Sequence, residues 1–107
     1  MHVEVRAVDG ALAEAMRDYI EQRLRMTVVR TGERLGRVTV RLAEHHSPHG
    51  QADWRCQVSA ERLPSGAVVH REVVGPRLLA TIDAASERLW CALHGVSHKR
   101  CPATSIG

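Results

Sequence analysis

At 107 residues the chain has room for one hydrophobic core and does not need disulfides or metals to hold it. Aromatic residues are only 3% and phenylalanine is absent, so aliphatic side chains must fill the interior, and no apolar run approaches the roughly 20 residues of a membrane helix. The formal charge of +3 is compatible with a polyanionic partner without demanding one.

The charge is unevenly spread. From Met1 to Gln22 the acids Glu4, Asp9, Glu14, Asp18 and Glu21 outnumber Arg6 and Arg17, whereas Arg23 to Arg41 sets six arginines against Glu33 alone. From Arg88 onward there is no acid, only Arg88, Lys99, Arg100 and two histidines. Cys56, Cys91 and Cys101 are odd in number and no charged-then-apolar leader opens the chain, so a reduced, cytoplasmic protein is the expectation.

In chain order, His2 to Arg6 alternates and predicts a short strand with Val3 and Val5 on one face. Asp9 offers an N-cap, and Leu12, Met16, Tyr19, Ile20 and Leu24 recur at helical spacing, predicting a helix from about Ala11 to Met26. The β-branched, arginine-rich stretch Thr27 to Gly36 reads as a connection. Arg37 to Leu42 alternates, with Val38, Val40 and Leu42 inward. His45 to Ala52 reads as a hairpin loop, and Trp54, Cys56, Val58 and Ala60 mark a third strand. After a turn at Pro64-Ser65-Gly66, Val68 to Val74 makes a fourth. Both middle strands carry one polar face, which should meet water or a partner.

Gly75-Pro76 suits a helix start, Leu78, Ile82, Ala85, Leu89 and Leu93 form its apolar stripe, and Gly95 ends it. The chain is therefore read as a single α+β domain over residues 1–95 with a loose tail, residues 96–107. Its order is βαβββα: a four-stranded mixed sheet with two parallel helices packed on one face, the right-handed crossover making strands one and two parallel. Two helices that run the same way bring their basic C-terminal ends to one end of the molecule. The residues expected to bind RNA there are Arg23, Arg25, Arg30, Arg88, His94, Lys99 and Arg100, an acid-poor set of the kind that tracks a phosphate backbone. Tyr19 is expected to pack and Asp83 to compensate the helix dipole.

With this order of elements, three stretches carry a resemblance to a known family: Met1 to Asp9 leading into a helix, Ala15-Met16-Arg17-Asp18-Tyr19-Ile20-Glu21-Gln22-Arg23-Leu24, and Leu79-Ala80-Thr81-Ile82-Asp83 followed by Arg88-Leu89. Over about Met1 to Leu93 the chain resembles the short form of the ribosome hibernation-promoting factor family, also called the ribosome-associated inhibitor or sigma-factor modulation family. The resemblance implies a βαβββα domain that binds small-subunit ribosomal RNA near the decoding region and inhibits translation under stress. Arg23 and Arg88 match basic positions of the family; Arg25, Arg30, Lys99 and Arg100 are their neighbours. The chain departs from the family pattern at Arg77, Leu79 and Ala92, and its end is histidine-rich rather than lysine-rich.

Two other readings stand beside this one. A divergent paralogue could serve as a protein-interaction domain, or Cys91, His94, His98 and Cys101, spaced C-x2-H-x3-H-x2-C, could hold zinc in a regulatory module. His45, His46 and His49 are a weaker metal candidate. No metal or cofactor is required by the primary reading. Nucleophile elbow, phosphate-cradling glycine loop and HExxH pattern are all missing, which argues against an enzyme. The expected partner is the small ribosomal subunit, with no membrane and no small-molecule substrate; a homo-oligomer is compatible with the sequence but not required by it.

Overall fold

A computed structural model describes residues 1–95 apart from 33, 47, 49 and 51; for residues 30, 31, 45, 46 and 52 it describes the backbone alone. The element order is β1 (His2–Ala7), α1 (Gly10–Thr31), β2 (Leu35–His46), β3 (Ala52–Arg62), β4 (Val68–Gly75) and α2 (Leu78–Leu93). The strands lie in sequence order, β1 parallel to β2 and the rest an antiparallel meander. This is the mixed α+β arrangement that the alternation and the crossover rule predict.

Alternation decides which face is buried. Val38, Val40 and Leu42 of β2 are opposite Ala60, Val58 and Cys56 of β3, all almost fully buried. Ile20 and Leu24 of α1 and Ile82, Ala85, Leu89 and Leu93 of α2 close over them. Both helices therefore lie on one face, and Arg37, Thr39 and Arg41 look out from the other.

The boundaries differ from expectation in three places. Helix α1 runs to Thr31, five residues beyond Met26. The β-branched Thr27-Val28-Val29 did not end it: Thr27 is buried and its hydroxyl donates to the Arg23 carbonyl at 3.0 Å, while Val28 packs on the core. The stop is Gly32, whose φ of 68° is readily adopted only without a Cβ and whose N–H donates to the Val28 carbonyl. Strands β2 and β3 reach His46 and Ala52, so His45 and His46 belong to a strand rather than to the loop. Pro76 precedes the N-cap, Arg77, instead of occupying the first helical turn. The tail, residues 96–107, lies outside the described residues.

Burial also sets the chemistry of Cys56. Withdrawn from water, its thiol is pushed up to about 12 from an ordinary value of 9.0. The neutral thiol is the favoured native form, so its contribution to stability is complete below about pH 9 and is lost as pH rises toward 12. Cys56→Ala should consequently lose less stability than the parent between neutral and strongly alkaline pH, as read by chemical denaturation. In the core, Leu89→Ala should cost about 2 to 5 kcal/mol by the same measurement, whereas exposed Val29→Ala should stay within about 0.5 kcal/mol.

Candidate nucleic-acid interface

Because β1 and β4 are both parallel to β2, the helices that follow them return in the same direction. Their C-caps, Gly32 and His94, therefore lie at the same end of the sheet. Arg62, the last residue of β3, donates from Nη2 to the carbonyls of Ala92 and Leu93 at 3.2 and 3.0 Å. It satisfies acceptors that a helix terminus leaves open, and it sets a guanidinium against the negative end of α2, which has no basic residue in its own last turn. The backbone N–H of Leu63 donates to the Arg34 carbonyl at 2.9 Å, tying the β3–β4 turn to the chain that leaves α1.

Of the seven residues expected to meet RNA, Arg23, Arg25, Arg88 and His94 are described with their side chains, and these four do not form one free cluster. Arg23 turns inward between the helices: its Nε is 3.1 Å from Asp83 Oδ1 and its Nη2 is 3.8 Å from Glu87 Oε1. Tyr19 donates its hydroxyl to the same Asp83 Oδ1 at 2.7 Å. Tyr19 and Asp83 are thus partners in a polar tie between α1 and α2, and Asp83 answers a guanidinium rather than the helix dipole. Two facing i,i+4 pairs, Tyr19 with Arg23 and Asp83 with Glu87, were the signal in the sequence. The bond to Asp83, then burial and the carboxylate charge, raise the Tyr19 phenol above its ordinary value of 10.0. This contribution is complete below about pH 10 and is lost above it.

Two residues further round the helix, Arg25 faces solvent with 59% of its side chain exposed and Glu21 3.6 Å away. Arg30 lies in the last turn of α1 by its backbone. Arg88 is half-buried and follows Glu87, about 100° further round α2 than the carboxylate that holds Arg23. His94 is exposed at the C-cap, its ring centroid 4.4 Å from that of Trp90. Lys99 and Arg100 lie outside the described residues. Arg34, exposed at the link between α1 and β2, and Arg62, the cap of α2, join this end without having been anticipated.

Among the described residues no three potential metal ligands come together. Of the Cys91-His94-His98-Cys101 set, only the first two are described, and Cys91 is buried. No helix among the described residues is long and apolar enough to cross a membrane.

No family model matches the chain, and no curated relative matches it. Among solved structures it is similar to the Protein Y N-terminal domain of Thermus thermophilus, at 22% identity and a TM-score of 0.67 over 87% of this chain and 96% of that one. It is similar also to a ribosomal subunit interface protein from Coxiella burnetii, at 13% identity and a TM-score of 0.68 over 89% and 96%. At these identities the likeness establishes a shared fold, spanning nearly the whole of both neighbours.

The tie between the helices gives a direct test. Tyr19→Phe should cost about 0.5 to 1.5 kcal/mol in unfolding free energy. Arg23→Glu should cost more, since it sets a third carboxylate beside Asp83 and Glu87. A double-mutant cycle of Arg23→Ala with Asp83→Ala should return a coupling of at least about 0.5 kcal/mol; additivity would show the pair to be independent.

Proposed function

We propose that the protein is a ribosome-associated factor that docks on small-subunit ribosomal RNA near the decoding region and holds translation off by occupancy, without catalysis. The observation that carries this reading is the fold shared with two proteins whose names link one of them to the interface of ribosomal subunits. The acid-free stretch from Arg88 onward and the common end of the two helices supply the electrostatics.

Phosphate binding falls to Arg25, Arg88 and His94, with Arg34 alongside and, by their place in the sequence, Arg30, Lys99 and Arg100. Arg23 serves from behind, fixing α1 against α2 so that its neighbours keep their spacing. An interface of this kind positions the protein on RNA through the backbone and reads little sequence.

Binding should therefore fall steeply with salt. In sedimentation with purified small subunits, the parent protein should pellet at low salt and be released at moderate salt. Arg25→Glu combined with Arg88→Glu should shift release to lower salt and flatten the log-log slope by roughly 1.5, at about 0.7 to 0.9 for each phosphate no longer neutralised. Failure of the parent to sediment with ribosomes or subunits at low salt would overturn the proposal.

A further inference from the structure

The open face of the sheet, turned away from both helices, carries chemistry that the helix ends do not use. Strand register fixes its side chains in transverse rows: Glu4, Thr39, Ser59 and His70 in one, and Arg6, Arg41, Gln57 and Glu72 in the next. Arg37 stands two residues before Thr39 on β2. Between them runs an open polar trough of about 380 Å³.

Most of the acids on this face are already engaged. Glu4 takes a bond from Arg6 Nε at 2.7 Å, and Glu72 takes one from Gln57 Nε2 at 2.7 Å with Arg55 3.7 Å away. Glu61 lines the same depression as Arg37, at the rim with Val68, and its carboxylate lies over Gly36. Arg37 and Arg41 make no ion pair within 4 Å with any described residue and are both exposed. The Glu4 carboxyl is held below its ordinary range first by the bond from Arg6, and the Arg37 charge is near enough to help. Four residues apart on one strand, they project to the same side, about 13 Å from each other. The Thr39 hydroxyl lies between them, and Ser59 Oγ, 2.8 Å from His70 Nδ1, lies beside it on the next strand.

The same face says what its occupant is not. Tyr19, Trp54 and Trp90 all belong to the helix side, so no indole or phenol is offered for stacking a base and the His70 imidazole is tied to Ser59, while the trough lacks the apolar walls that enclose a small ligand. Two guanidiniums with no ion pair among the described residues, in line with a hydroxyl between them, suit a chain of phosphates. We propose that the open sheet face is a second RNA-binding surface, gripping the backbone of a single strand through Arg37 and Arg41 without reading its bases. The protein would then be held from two sides, with RNA at the helix ends and another strand across the sheet. This surface is independent of the helix-end docking and can fail or stand without it.

The test is binding of a short fluorescent oligouridylate, followed by anisotropy across a salt titration. Arg37→Gln combined with Arg41→Gln should weaken binding about ten-fold and lower the salt slope by about 1.4, at about 0.7 per phosphate on a single strand. Thermal unfolding should not change, and Arg25→Gln with Arg88→Gln should bind the oligonucleotide nearly as well as the parent. An unaltered affinity and slope in the open-face variant, or no binding by the parent at low salt, would overturn the proposal. So would displacement of the oligonucleotide by uridine monophosphate at an equal concentration of phosphate, since that marks a small-anion site. Loss of sedimentation with small subunits while oligouridylate binding persists would count against the helix-end docking alone.

Discussion

The parallel pairing of β1 with β2 is the constraint from which the rest of this molecule follows. Parallel neighbours cannot be joined by a tight turn, so the chain must cross over one face, and it does so as α1. The meander that follows restores the direction of β2 at β4, and α2 returns along the same face. Had β1 paired antiparallel, the helices would point in opposite directions and their C-termini would lie at opposite ends. The common end of α1 and α2, with Arg62 closing one of them and Arg34 beside the other, is thus a consequence of strand pairing and not of any local preference of the arginines.

Side-chain chemistry then refines what topology provides. A sheet covered by two helices on one face must register those helices against each other, and apolar packing alone resists rotation weakly. Tyr19, Arg23, Asp83 and Glu87 supply direction: a hydroxyl and a guanidinium on α1 meet two carboxylates on α2, and Glu87 is buried among them. Such a pairing at the half-exposed seam between helices is modest in net energy, because desolvation offsets part of the attraction. Its effect is specificity of arrangement. It also engages with carboxylates the arginine that the sequence made most conspicuous.

The fold was legible because two periodicities dominate the chain: alternation in Arg37 to Leu42 and Trp54 to Glu61, and helical spacing from Leu12 to Leu24 and Leu78 to Leu93. The end of α1 was not, because Thr27-Val28-Val29 is a poor helix sequence by intrinsic preference and is held helical by tertiary burial. The outer ends of β2 and β3 were hidden for a related reason, since Ala43-Glu44-His45-His46 shows no alternation once the helices no longer cover it. At the candidate interface, the convergence of the helix ends could be derived from strand order. Which face of α1 carries Arg23 inward could not, as that depends on a rotation of some 100° per residue fixed only by packing. Arg62 gave no local signal at all: its role arises from where β3 happens to stop.

Counting arginines therefore overstates what a polyanion would meet. A guanidinium already held by a carboxylate must surrender that partner to bind phosphate, so its net gain is small and it releases few counterions. Arg6, Arg23 and Arg55 stand within 4 Å of Glu4, Asp83 and Glu87, and Glu72 respectively, and are discounted to that extent, whereas Arg25, 3.6 Å from Glu21, keeps 59% of its side chain exposed and gives up little to turn to phosphate. Arg34, Arg37, Arg41 and Arg88 have no such carboxylate among the described residues, and they divide between the helix-end region and the open sheet. A formal charge of only +3 is consequently compatible with two separate cationic surfaces, since the acids that lower the total are spent on particular partners. The distribution of guanidiniums without an ion pair, rather than the net charge, is the quantity that governs what a polyanion would meet on this domain.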